Sequence, residues 1–172
     1  IPRHQLEHPT TLPHLVNILS SSNGLAKGPA AGAIASMSSQ PHLRQTVFSM
    51  GGLPGLVALL NGESDTSYHA VQAIAQFAAD ESFRTALAET GGLGALTPLL
   101  GSHLAHVQQC ALSAIANVSF VPGAVGQLAS SGALGHLGQM LFGASEADAR
   151  MVLTALTNVL SGAPSASASL LQ

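Results

Sequence analysis

The sequence predicts an all-α solenoid of about four stacked helical units, on three observations. The first is a leucine-rich segment that returns along the 172 residues. Leu53-Pro54-Gly55-Leu56-Val57-Ala58-Leu59-Leu60 comes back as Leu93 to Leu100 and, more loosely, as Leu134 to Leu141, with an earlier copy from Leu12 to Leu19. Anchored on the first leucine, the steps are 41, 40 and 41 residues. Second, a different pattern keeps the same beat. Ala30, Ala33, Ile34 and Met37 recur as Ala70, Ala73, Ile74 and Phe77, then Ala111, Ala114, Ile115 and Val118, then Val152, Ala155, Leu156 and Val159. Third, the glycine pairs Gly51-Gly52 and Gly91-Gly92 stand directly before two of the leucine segments. Repeats of 40–41 residues stack because no single unit can close a core alone.

Each unit reads as short helix, glycine turn, middle helix, loop, long helix. The short helix carries an apolar pair at i, i+4: Leu43/Val47, Phe83/Leu87 and Ala124/Leu128. Pro41 and Pro122 precede two of these pairs, where proline suits a helix start. Glycine then ends that helix and turns the chain sharply. Leu53, Leu56, Val57 and Leu60 form one stripe of the middle helix, and the Ala/Ile set, at i, i+3, i+4, i+7, forms one stripe of the long helix. Alanine lets neighbouring axes approach, while each buried Leu, Ile or Phe contributes roughly 1.5–3 kcal/mol. The first copy departs from this pattern. It lacks the glycine pair and carries Gly28-Pro29 where its long helix should begin, so a short helix starting after Pro29 is expected. The predicted organisation is an N-terminal extension at 1–9, an array at 10–162 (units about 10–40, 41–80, 81–121 and 122–162), and a linker or first helix of a further repeat at 163–172.

Composition narrows the function classes. The chain is 47% apolar but only 8% charged, against about 25% in ordinary domains. No Asp, Glu, Lys or Arg lies between Glu89 and Glu146. Either partners cover much of this surface, or the composition is biased toward Ala, Gly and Ser. The stretch is no membrane span, because Pro98, His103, Gln108, Gln109, Asn117 and Pro122 interrupt it. Net charge is −3, with Arg3, Lys27, Arg44, Arg84 and Arg150 scattered, which argues against nucleic acid. Cys110 is alone, so no internal disulfide forms, and an intracellular reducing compartment is expected, the cytoplasm first. No signal-peptide pattern is present. A start at Ile1 without methionine and a stop in mid-pattern suggest a segment of a longer protein.

Three helices per unit, the 40–41 step and the Gly-x-Leu-Pro-x-Leu-Val-x-Leu-Leu lead-in together resemble the armadillo repeat. HEAT repeats have two helices per unit, and the extra short helix favours armadillo. The second and third copies match from Gly52 to Leu60 with Ala70 to Ala78, and from Gly92 to Leu100 with Ala111 to Ser119. In the fourth, Gly138 takes the place of Val57. The resemblance implies a right-handed superhelix whose long third helices line a concave groove. In armadillo proteins that bind extended peptides, asparagines on this helix hydrogen-bond the peptide backbone. Asn117 and Asn158 stand at that place here, with Gln76 and Ser36 in the earlier copies. One turn back, where nuclear-import members carry tryptophan, stand Gly32, Gln72, Ser113 and Thr154, and a further turn back Tyr68, Gln109 and Arg150. Without tryptophan shelves, nuclear-import cargo is not expected. The partner-binding residues that the resemblance implies are Gln72, Gln76, Gln109, Ser113, Asn117, Arg150, Thr154 and Asn158. An amide ladder can hold an extended strand without reading its side chains; the competing expectation is that the asparagines only satisfy neighbouring groups.

Catalytic patterns are weak. His4-Gln5-Leu6-Glu7-His8 matches one zinc-peptidase spacing, but Pro2 and Pro9 leave barely two turns. His103 and His106, at i, i+3, have no Cys or acid beside them to complete a metal site. Asn117-Val118-Ser119 is a glycosylation sequon placed inside a packed helix. Gly132 to Gly138 follows no strand, as a nucleotide loop would require. Cys110 has no basic neighbour to activate it. The expectation is a non-catalytic scaffold, with no cofactor or metal, that binds a protein or extended peptide. Two alternatives stay open: the substrate-recognition part of a multidomain enzyme such as a ubiquitin ligase, or an architectural subunit of a large cytoskeletal, ciliary or organellar complex.

Overall fold

The computed structural model describes residues 10–21, 24–61 and 64–163. All regular secondary structure among them is helical, in two compact units, Ile1–Phe77 and Ala78–Gln172. The first unit holds α1 (Thr11–Ser20), α2 (Gly24–Met37), α3 (Pro41–Ser49), α4 (Gly52–Leu59) and α5 (Ser64–Phe77). The second holds α6 (Glu81–Glu89), α7 (Gly92–Leu96) running into a 3-10 turn (Thr97–Gly101), α8 (Ala105–Val118), α9 (Pro122–Ser130), α10 (Ala133–Met140) and α11 (Glu146–Gly162).

In the first unit most of the predicted stripe residues are buried: Leu12, Val16 and Leu19 of α1, and Ala70, Ala73, Ile74 and Phe77 of α5. Of the predicted middle-helix stripe, Leu53, Leu56 and Leu60 are buried but Val57 is only half-buried, and Leu59, outside that stripe, is buried in addition. The most extensive helix pairing in the unit is α2 against α5. Missing side chains allow it: a Cβ on Gly28 would sit 3.0 Å from Thr66 Oγ1, and one on Gly32 would sit 3.4 Å from the His69 ring. Gly55 serves α4 in the same way, since its Cβ would lie 2.7 Å from that of Leu19. The expectation that the first long helix starts after Pro29 is wrong. Helix α2 begins at Gly24 and carries Pro29 inside it. Proline removes the hydrogen bond to the carbonyl of Leu25, but Leu25 and Pro29 both lie on the exposed face, where water can satisfy that carbonyl.

The second unit repeats the scheme. Ala111, Ala114, Ile115 and Val118 of α8 are buried, with Val152, Ala155 and Val159 of α11, Phe83 and Leu87 of α6, and Ala124 and Leu128 of α9. The short helices α3, α6 and α9 each run nine residues. Each is followed by a glycine in the left-handed region, Gly51, Gly91 and Gly132, at φ 76°, 74° and 84°. The middle helix of the third copy is broken by chemistry. Pro98 has no N–H to offer the carbonyl of Gly94, and from Thr97 the chain tightens to a 3-10 turn. Thr97, itself buried, donates its hydroxyl 2.9 Å to the Leu93 carbonyl and lies 3.0 Å from Ser131 Oγ. In the fourth copy Gly138 weakens the stripe, and Leu141 is left exposed.

Helix α11 starts under a two-way cap. Ser145 Oγ accepts the Asp148 N–H at 3.1 Å and donates to Asp148 Oδ2 at 2.7 Å. Two of the scattered arginines also have structural tasks: Arg44 donates 2.8 Å to the Ser38 carbonyl, and Arg84 donates 3.2 Å to those of Ala78 and Ala79. The His4 to His8 pattern and residues 164–172 lie outside the described residues.

Candidate functional site

Eight side chains were expected to form a docking face, and the structure places all of them on long helices. Gln72 and Gln76 lie one turn apart on α5 in the first unit, both half-buried, and Gln76 Oε1 is buried without a hydrogen-bond partner among the described residues. The other six lie in the second unit in two matching rows: Gln109, Ser113 and Asn117 on α8, and Arg150, Thr154 and Asn158 on α11. Steps of four residues keep each row on one face of its helix. Gln109 and Arg150 are exposed, and the other four are half-buried.

Several polar atoms in these rows are already spent. Asn117 donates its amide N–H 3.0 Å to the Ser113 carbonyl one turn back. Asn158 donates 2.9 Å to Ser119 Oγ, tying α11 to the end of α8. Gln109 donates 3.3 Å to Asp148 Oδ1, a second tie between the same helices. Thr154 returns its hydroxyl proton to the Arg150 carbonyl at 2.8 Å, and Arg150 pairs with Glu146 at 3.0 Å. Both members of that ion pair are largely exposed, so it contributes about 0–0.5 kcal/mol. Each asparagine keeps its carbonyl oxygen and a second N–H, one acceptor and one donor.

Beside this face lies a feature that no sequence motif announced. A cleft of about 440 Å³ opens where α8 and α11 begin. Leu100 and Leu112 are fully buried beneath it, and Phe142 stands 89% exposed beside it. Gln108, Gln109 and Asp148 line it, with His136 packed against Gly101. Its residues come from two stretches far apart in the chain, 100–112 and 136–148.

Other expected chemistry finds ordinary surroundings. His103 and His106 are exposed, and no three His, Cys, Asp or Glu side chains among the described residues are grouped to hold a metal. Val118 and Ser119 of the sequon are buried. Gly132 makes a turn into α10. Cys110 is half-buried, and burial pushes its thiol pKa up. No helix among the described residues is long and apolar enough to cross a membrane.

Solved structures resemble the chain over most of its length. An engineered protein superposes with a TM-score of 0.77 at 28% identity, over 88% of this chain and 63% of its own. A designed armadillo repeat protein gives 0.80 at 29% identity, over 95% and 70%. The fold is that of an armadillo repeat array. A further designed armadillo repeat protein, in complex with the peptide (KR)4, gives 0.77 at 28% identity, over 96% and 74%. The chain thus spans about two thirds of the length of these relatives. No family model and no curated protein matches it. In armadillo terms α5, α8 and α11 are long third helices, the elements on which the eight candidate residues lie.

Proposed function

We propose that this chain is a non-catalytic protein-binding scaffold that docks an extended peptide along its long third helices. The supporting observation is the matched polar register of α8 and α11, in which Gln109/Arg150, Ser113/Thr154 and Asn117/Asn158 recur 41 residues apart. After their internal bonds, Asn117 and Asn158 each keep one donor and one acceptor, which is what a peptide unit of an extended strand takes. Armadillo relatives support the reading: one was designed for modular peptide recognition, and another was solved with (KR)4 bound. In the first unit, Gln72 and Gln76 on α5 are proposed to contact peptide in the same manner. A cytoplasmic, reducing location belongs to the same proposal.

The test is a double substitution, Asn117→Arg with Thr154→Arg, which bulks the face while sparing the tie made by Asn158. Peptides selected on the wild-type chain from a random display library are the probe. Affinity reduced tenfold or more with unchanged circular dichroism supports the face, and undiminished affinity overturns it.

A second reading, an architectural subunit of a large assembly, is favoured by one observation. The charge-free stretch between Glu89 and Glu146 also displays Phe120 and Phe142, 61% and 89% exposed, and exposed aromatics of this kind mark contact surfaces. Light scattering on the isolated chain tests it: a monomer at millimolar concentration opposes this version.

A further inference from the structure

We propose that the outer side of α9 and α10 seats residues 164–172 as the first helix of a fifth unit, so that the fourth unit is an inner member of the array and not its cap. Comparison of the third and fourth copies, position by position, carries this. Around the third copy, α9 packs against α6 and α7, α10 against the Thr97–Gly101 turn, and α11 against α8. Under that cover Ala88, Thr97, Leu112, Ile115, Ala116 and Ser119 are all buried. Their counterparts 41 residues on are Ala129, Gly138, Leu153, Leu156, Thr157 and Leu160. Ala129, Gly138, Leu156 and Leu160 are half-buried, Thr157 is exposed, and Leu153 is 53% exposed. All six change in the same direction, as expected of a unit whose outer layer is missing.

The uncovered side chains also have the wrong chemistry for a cap. Terminal repeats of a solenoid carry a polar outer face. Here Leu153, Leu156 and Leu160 form one stripe at i, i+3, i+7, and no Asp, Glu, Lys or Arg lies between Arg150 and Gln172. The beat of the short helices names the occupant. Helices α3 and α9 open on Pro41 and Pro122, with apolar pairs two and six residues further on, Leu43/Val47 and Ala124/Leu128. Pro164 with Ala166/Leu170 repeats that spacing. The step from Ala124 to Ala166 is 42 residues, one beyond the usual 41, and α11 is likewise longer than α8, at 17 residues against 14. The path is also right: a Cβ on Gly162 would lie 2.8 Å from Val125 Cγ1, so the chain leaves α11 directly beside α9.

Comparison of amide spectra of the ¹⁵N-labelled 172-residue chain and of a version ending at Ala163 tests this. Deletion should shift the backbone amides of Ala129, Leu134 and Gly138 and leave those of α6 unmoved. Leu170→Asp in the 172-residue chain should reproduce those shifts, because a charge is not accommodated in a packed apolar site. Ala168→Asp should leave the spectrum of α9 and α10 unchanged, since its counterpart in α9, Gly126, is exposed. Unmoved α9 and α10 amides on deletion or on Leu170→Asp would overturn the proposal. So would equal effects of Leu170→Asp and Ala168→Asp, or shifts that depend on protein concentration, which would assign this surface to a second copy of the chain. None of these readouts involves peptide, so the outcome is independent of the docking face.

Discussion

The same substitution, glycine to alanine, should have opposite signs at two positions of the second unit. Gly91 lies between α6 and α7 at φ 74°, and a Cβ built there meets no atom within 4 Å. Any cost at Gly91 is therefore conformational rather than steric. Alanine in the left-handed region costs roughly 1–2 kcal/mol, and the loss of unfolded-state freedom returns about 0.4–1 kcal/mol. Gly91→Ala should thus destabilise by about 0.5–1.5 kcal/mol. Gly126 sits inside α9, exposed, with right-handed backbone and equally open space around its Cβ. There alanine removes a poor helix former, and Gly126→Ala should stabilise by about 0.5–1 kcal/mol. Urea unfolding followed by far-ultraviolet circular dichroism measures both, at a common m-value, in a chain without tryptophan. If both variants move stability in the same direction, or if Gly91→Ala stabilises, the glycine-turn account of the repeat is wrong.

Ile115 is fully buried, and Ile115→Ala removes three carbons worth about 0.8 kcal/mol each. With the cavity left behind, the total loss should be about 2–5 kcal/mol, and a urea-measured change under half a kilocalorie would contradict the packing of α8. Asn158→Ala deletes the 2.9 Å bond to Ser119 Oγ, although Ser119 keeps the Ala116 carbonyl; about 0.5–1.5 kcal/mol should be lost. Asn117→Ala, whose bond stays within its own helix, should cost less, and the reverse order in paired denaturation curves would count against the interhelical tie. Burial raises the Cys110 pKa, so at pH 8 less thiolate is present and iodoacetamide should react more slowly than with a free cysteine. Urea should restore the rate, and equal rates folded and unfolded would contradict this burial.

Stripe-forming residues were legible because their physics is local. Leu53, Leu56, Ile74 and Ile115 announce a buried face through spacing alone, and Gly51 and Gly91 announce a turn because a left-handed backbone favours glycine. Exceptions arose where context outweighed the local rule. Pro29 looked like a helix start but sits inside α2, because the carbonyl it orphans faces water. The segment Leu93 to Leu100 read as a copy of the middle helix, yet Pro98 tightens the chain from Thr97 onward. For the candidate face, sequence located the asparagines but not their partners. Asn158 reaches Ser119 across 39 residues, and the Gln109–Asp148 tie spans the same distance. The cleft was invisible for the same reason, since nothing local joins Leu100, Gln108 and Asp148. Arg44 and Arg84 read as scattered charges and instead hold backbone carbonyls.

A crystal structure of the chain with a display-selected peptide tests the central claim most directly. The peptide should lie extended across α8 and α11, with its main chain within hydrogen-bond distance of the Asn117 and Asn158 amides. A peptide seated away from both helices, or one contacting them only through its side chains while those amides stay unengaged, would contradict the account.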